Sequence, residues 1–226
     1  MPIPKMIWFD FGGVLSPTIP ALLEQYEVKT GISPEILLRA MMDVAEKLGV
    51  PMLAPIENAM LSEFEWGERL EIALRFRHPN MDLSRACLTR FGEQWFDGVS
   101  ANTVMVNTAR QLKTAGFKVG ILTNNVVEWD PFWRSMVKLD DVVDLIVDSS
   151  KEGCRKPDSS FFAIACQRAG VDPVDNLLID DIEENIDAAR KMNWQVIQFT
   201  DNASVLHALE MHTGVMFKQS TRSYES

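Results

Sequence analysis

The sequence predicts an α/β fold, a three-layer sandwich with a mainly parallel sheet and an inserted all-helical domain. Three observations carry this prediction. Short apolar runs alternate with helical periodicities from residue 103 onward. One further apolar run stands alone near the N-terminus. Between them lie about 80 residues with helical spacing and no convincing strand.

The lone run is Met6-Ile7-Trp8-Phe9, a buried-strand pattern that stops at Asp10. The following Phe11-Gly12-Gly13-Val14-Leu15-Ser16-Pro17 reads as a turn, because adjacent glycines allow backbone geometry that side chains forbid. Leu22, Leu23, Tyr26 and Val28 then lead to a break at Gly31. Ser33 followed by Pro34 predicts an N-cap and a first helical position. Ile36, Leu37, Ala40, Met41, Val44 and Leu48 continue that helix toward Gly49. A second helix is expected from Ser62, with Glu65 three residues on. Its apolar positions are Phe64, Leu70, Ile72, Ala73 and Phe76. A third helical stretch is expected over 83–91.

The alternating part opens with a helix over 103–114 and a strand over 118–122, followed by a strand over 143–147. A helix after Pro157 carries Phe161, Phe162, Ile164, Ala165 and Ala169 and stops at Gly170. Leu177-Leu178-Ile179 is a strand ending at Asp180. A helix over 183–192, a strand over 194–199 and a helix over 203–212 complete the pattern. The expected division is a discontinuous sheet domain of 1–17 and 98–217, a helical domain of 18–97, and a polar tail of 218–226. No repeat or low-complexity tract interrupts it.

Composition narrows the function. With 46% hydrophobic and 24% charged residues, wholesale disorder is excluded. A net charge of -10 argues against a nucleic-acid or anionic-membrane surface. It leaves room for a small anion held by a local cluster of donors. Cys87, Cys154 and Cys166 form no C-x-x-C pair and read as free thiols of a reducing compartment. No targeting or membrane-spanning segment stands out, so a cytoplasmic location is expected. His207 and His212 are five apart and do not share a helical face.

Ligands of open parallel sheets sit at the carboxyl ends of the strands. Here those ends carry Asp10, then Thr123-Asn124-Asn125, then Asp180-Asp181. Lys156 opens the helix before the last of these strands. A nucleophilic carboxylate, a hydroxyl, an ammonium and an acidic pair suit phosphoryl transfer with a divalent metal. Aspartate can attack phosphorus, and two approaching anions need neutralising charge from a magnesium ion and a lysine. The plainer alternatives are a turn former at Asp10, helix-capping acids at Asp180 and Asp181, and a solvated lysine at Lys156.

Four segments together resemble the haloacid dehalogenase superfamily: Ile7-Trp8-Phe9-Asp10-Phe11-Gly12-Gly13-Val14-Leu15, Ile121-Leu122-Thr123-Asn124-Asn125, Arg155-Lys156-Pro157-Asp158, and Leu178-Ile179-Asp180-Asp181-Ile182-Glu183-Glu184-Asn185. The resemblance implies a Rossmann-like core and a subfamily I hydrolase with a helical C1 cap over 18–97. The Phe11-Gly12-Gly13-Val14-Leu15 turn resembles the phosphatase branch that includes the amino-terminal domain of soluble epoxide hydrolase. The family resemblance implies Asp10 as nucleophile and metal ligand, with Lys156 as its catalytic partner. Thr123, Asn124 and Lys156 are then substrate-binding. Asp10, Asp181 and the Gly12 carbonyl are the expected Mg2+ ligands, and Asp180 supports them. The implied partner is a small phosphorylated molecule.

One position departs from the phosphatases of that family. They usually carry a second aspartate two residues after the nucleophile, where this chain has Gly12. Ser16, Glu128 and Asp130 are candidates to replace its acid–base role. The departure keeps two alternatives open: displacement at carbon by Asp10, as in hydrolytic dehalogenation, and a weakly catalytic protein that binds a ligand or partner. In the helical domain, Met41, Met42, Met52, Met60 and Trp66 read as core, with a pocket lining as the alternative. Trp129, Phe132 and Trp133 read as packing between the two domains or as a partner surface. Asp140-Asp141 reads as a solvated turn and Arg155 as a surface residue.

Overall fold

The structure, a computed structural model, describes residues 2–217. The predicted tail over 218–226 lies outside the described residues. Five strands form one parallel sheet in the order β3-β2-β1-β4-β5. They are β1 (Met6–Phe9), β2 (Lys118–Thr123), β3 (Leu145–Asp148), β4 (Asn176–Asp180) and β5 (Gln195–Gln198). β1 lies at the centre. Phe9 pairs with Ile121 on one side and Ile179 on the other.

Alternation along β1 divides the core. Ile7 and Phe9 face one apolar layer, and Met6 and Trp8 face the other. The second layer is closed by α9 (Ser159–Ala169) and α10 (Glu183–Lys191), through Phe161, Phe162 and Ile186. Trp8 is fully buried there, and its indole donates to Asn176 Oδ1 at 2.9 Å. The first layer is covered by α6 (Thr103–Thr114) and α11 (Asn202–Thr213), and it continues into the helical segment.

That segment runs from Ile19 to Phe96 and contains no strand among the described residues. Its helices are α1 (Ile19–Thr30), α2 (Pro34–Glu46), α3 (Ala54–Glu57), α4 (Glu63–Arg77) and α5 (Phe91–Phe96). α4 begins with the expected capping box: Ser62 accepts from the Glu65 N–H, and Glu65 accepts from the Ser62 N–H. α2 begins at Pro34, but the Ser33 side chain makes no capping bond.

Three expectations are corrected. Phe64, Ile72 and Phe76 are exposed at 56%, 61% and 85%. The buried stripe of α4 is Trp66, Leu70, Ala73 and Leu74. The stretch 83–91 is not one helix: Asp82 accepts from the Ser84 N–H at a turn over 84–85, and a short 3-10 helix over Leu88–Arg90 follows. The α-helix, α5, starts at Phe91. Three further helices have no counterpart in the prediction: α3, α7 (Asp130–Val137) and α8 (Ser149–Glu152).

Of the aromatic residues after β2, Trp129 and Phe132 join the two parts through Phe91 and Phe96, while Trp133 packs within the sheet part. Trp133 is fully buried against Phe11, with ring centroids 5.3 Å apart. Trp129 stacks on Phe91 and donates its indole N–H to Glu63 Oε1 at 2.6 Å. The same Glu63 carboxylate accepts from the Gly92 N–H. Packing between the parts is realised through Trp129 and Phe132.

Candidate active site

The register of the sheet assembles the site. β1 and β4 end at the same level, and the Asp10 N–H still donates to the Ile179 carbonyl at 2.9 Å. Asp10 and Asp180 therefore leave the sheet side by side. Asp181 follows on the same loop. One carboxylate oxygen from each of Asp10, Asp180 and Asp181 lies within 4.8 Å of the others.

Lys156 enters this cluster fully buried. Its Nζ lies 2.8 Å from Asp10 Oδ1 and 2.5 Å from Asp180 Oδ2. Burial alone pulls the lysine pKa down, but attraction to Asp10 and Asp180 outweighs it and the net shift is upward. Lys156 is thus a fixed cation. The carboxylates respond the other way. Burial chiefly, and repulsion from Asp180 and Asp181, push Asp10 up to about 8 despite the attraction of Lys156. Asp181 is raised by burial and by the Asp180 charge.

Each side chain is held by its surroundings. Asp180 Oδ1 accepts from the Ile182 N–H at 2.9 Å and from Asn185 Nδ2 at 3.0 Å. Asp180 is thereby a positioning residue for Lys156. Asn124 pairs with the Lys156 backbone: its amide donates to the Lys156 carbonyl and accepts from the Lys156 N–H, at 2.9 and 2.8 Å. Asn124 thereby fixes the chain that carries the lysine. Thr123 is fully buried at the end of β2, and its hydroxyl accepts from Asn125 Nδ2 at 3.4 Å.

The glycine turn is wide. The Ser16 N–H donates back to the Phe11 carbonyl at 2.9 Å, and the Phe11 N–H donates to Asp10 Oδ1 at 2.7 Å. Gly13 has φ +75°, and a Cβ there would lie 2.3 Å from Asp181 Oδ2. Only glycine allows that approach. Gly12 differs. Its φ is -66°, and an added Cβ would meet only Ile19 Cδ1 at 3.9 Å.

The replacement acids are engaged elsewhere. Glu128 accepts from the Glu63 N–H at 3.1 Å, and Asp130 pairs with Lys151 at 2.9 Å. Ser16 Oγ accepts from the Gly13 N–H and donates to the Pro17 carbonyl. Asp140, expected to be solvated, is exposed and pairs with Arg134. Arg155 is not the surface residue expected, because it forms a buried ion pair with Glu57 of α3 at 2.8 Å. Glu57, Asn185 and Ser149 are also site neighbours that sequence reading passed over. Asn185 lies within a quoted motif, five residues past Asp180, which was the available signal. Glu57 gave none.

Clustered carboxylates thus stand beside a fixed buried ammonium at the strand ends, where open parallel sheets hold their ligands. The chain belongs to the haloacid dehalogenase-like hydrolase family, whose model matches residues 4–193. It is 26% identical to bifunctional epoxide hydrolase 2 of Rattus norvegicus over 94% of this chain, and spans 39% of that relative's length. It is 23% identical to the phosphoglycolate phosphatase of Nitrosococcus oceani, over 86% of this chain and 83% of the relative. Among solved structures, a dehalogenase in an intermediate complex superposes with TM-score 0.67 and 22% identity, covering 88% of this chain and 85% of that one. A family enzyme of Bacteroides thetaiotaomicron, in complex with magnesium and inorganic phosphate, superposes with TM-score 0.61 and 17% identity. That match covers 86% of this chain and 93% of the other. These structural likenesses concern the fold. No helix among the described residues is long and apolar enough to cross a membrane.

Proposed function

We propose that the chain is a magnesium-dependent phosphatase for a small organic phosphate monoester. The observation that carries this reading is the meeting of Asp10, Asp181 and Lys156 at one point, with three carboxylates within 4.8 Å. The residues fit a divalent cation. Asp181 Oδ1 is buried without a hydrogen-bond partner, and the acidic excess around Asp10 calls for positive charge. Asp10, Asp181 and the Gly12 carbonyl would hold the ion, which suits hard oxygen ligands. When bound, magnesium supplies charge neutralisation between carboxylate and phosphate.

In this reading Asp10 attacks phosphorus. An Asp10 oxygen–phosphorus bond forms, and the ester oxygen leaves as the alcohol after taking a proton from water. Water then cleaves the aspartyl phosphate, releasing inorganic phosphate and restoring Asp10. Lys156 and Thr123 hold the phosphoryl oxygens, with the lysine acting as a point charge. Asp180 and Asn124 keep Lys156 in place. The helical part, taken as a cap over 18–97, covers the leaving group and limits water.

The test is a screen of phosphate esters with and without magnesium, beside Asp10→Asn. Magnesium-dependent release of phosphate that the variant loses is the expected result. Full activity in the variant, or turnover indifferent to magnesium, sinks the reading. A second reading, displacement at carbon by Asp10, is favoured by one observation: Gly12 places no acid beside the leaving group. Metal-independent halide release from 2-haloacids would select it.

A further inference from the structure

Arg155 and Lys156 are neighbours in sequence, yet they meet different partners. Lys156 lies between Asp10 and Asp180. Arg155 turns to the helical part, where its Nε lies 2.8 Å from Glu57 Oε2. The two side chains are only 19% and 11% exposed. Glu57 closes α3, and its backbone carbonyl accepts from Ser149 Oγ at 2.6 Å. The carboxylate is near enough to the site for the Lys156 and Asp148 charges to act on it.

This pair is badly made for a strut. Guanidinium and carboxylate normally meet in two parallel bonds. Here the shortest contact, Nε to Oε2, is not a well-aligned hydrogen bond, and neither of those buried atoms has another partner. Asn58 Oδ1 and Asp148 Oδ2 are likewise buried without partners. A buried ion pair of poor geometry contributes little to stability, because desolvation offsets attraction. Removing the carboxylate outright would strand a buried cation. Exchanging it for another carboxylate would not, since the guanidinium stays paired throughout.

We propose that Arg155 is a specificity-determining residue that takes the carboxylate of a phosphorylated carboxylic acid, with Glu57 holding the guanidinium until that carboxylate exchanges with it. The inference rests on the phosphatase reading for the other end of the ligand, where Lys156 takes the phosphoryl group. It adds a substrate class to that reading: a phosphate and a carboxylate on one small molecule.

The test is a calorimetric titration of the full chain, with magnesium, against two non-hydrolysable probes. Phosphonoacetate carries the carboxylate, and ethylphosphonate lacks it. The expected result is a preference of about tenfold or more for phosphonoacetate, the scale of one charge-assisted contact. Arg155→Met should reduce that preference to within about twofold while ethylphosphonate binding stays unchanged. Arg155→Lys should restore part of it. Glu57→Gln frees the guanidinium and should tighten phosphonoacetate several-fold. Equal binding of both probes by the native chain overturns the proposal. So does an Arg155→Met variant that weakens both alike, as the loss of a strut would. Should that variant not fold, the native preference and Glu57→Gln decide the matter. Binding with the expected preference but no turnover of any phosphate ester would sink the phosphatase reading and support this one.

Discussion

Gly13 and Asp181 are in contact so close that no side chain fits between them. A Cβ on Gly13 would lie 2.3 Å from Asp181 Oδ2, and the backbone there has φ +75°. The glycine therefore sets where the second carboxylate of the site can stand. Gly13→Ala should displace Asp181 and strain the turn. A loss of about 1–3 kcal/mol in stability is expected. Magnesium affinity should fall as well. Denaturant unfolding and a magnesium titration followed by calorimetry read the two effects.

Gly12 is open where Gly13 is closed. Its φ is ordinary, and an added Cβ meets only Ile19 Cδ1 at 3.9 Å. Gly12→Asp should fold, and it would place a carboxyl two residues past Asp10. If leaving-group protonation limits the native rate, kcat should rise by about 10²–10⁴, the usual worth of general acid catalysis. Steady-state rates on an alkyl phosphate and on an aryl phosphate separate the cases. The gain should be larger for the alkyl ester, whose leaving group is poorer.

Lys156 is a buried cation with Asp10 at 2.8 Å and Asp180 at 2.5 Å. Lys156→Met strands both carboxylates. A destabilisation of about 3–5 kcal/mol is expected, the cost of breaking a buried pair by removing one partner. Magnesium should recover part of it. Urea unfolding with magnesium and with chelator tests both statements.

Asp10 sets a pH dependence. Its pKa stands at about 8 in the folded chain against 3.8 for the free side chain, chiefly through burial. Between those values the unfolded chain has lost a proton that the folded chain keeps. Stability from this group is therefore greatest at low pH and declines as pH rises from about 4 to 8. With chelator present, Asp10→Asn should gain on the native protein across that window and hold a constant lead above it. Thermal melts at a series of pH values report the gap. Magnesium affinity should increase over the same range, since the ion competes with the proton.

Much of the site was legible because it lies where apolar runs stop. Asp10, Thr123 and Asp180 each end a buried strand, and parallel pairing brings such ends to one edge. Lys156 was legible from its motif, but its burial was not. The helical part was read less well. In α4, Phe64, Ile72 and Phe76 recur at multiples of four and make a helical face as regular as the buried one. Periodicity alone does not say which face turns inward. α3 and α8 are too short to show any stripe. The Glu57–Arg155 pair joins residues far apart in the chain, and no local pattern announces it.

One apolar layer runs without a break from Ile7 and Phe9 through Phe11 and Trp133 to Phe96, Tyr26 and Trp66. The chain crosses from sheet to helices and back, but that layer does not divide with it. Heat or denaturant should meet a single cooperative body and produce one melting transition. Cutting out the helices would expose the surface that covers the sheet. The two parts are separate in sequence but share one core, so a change in the helices that alters this layer acts at once on the stability of the strand that carries Asp10.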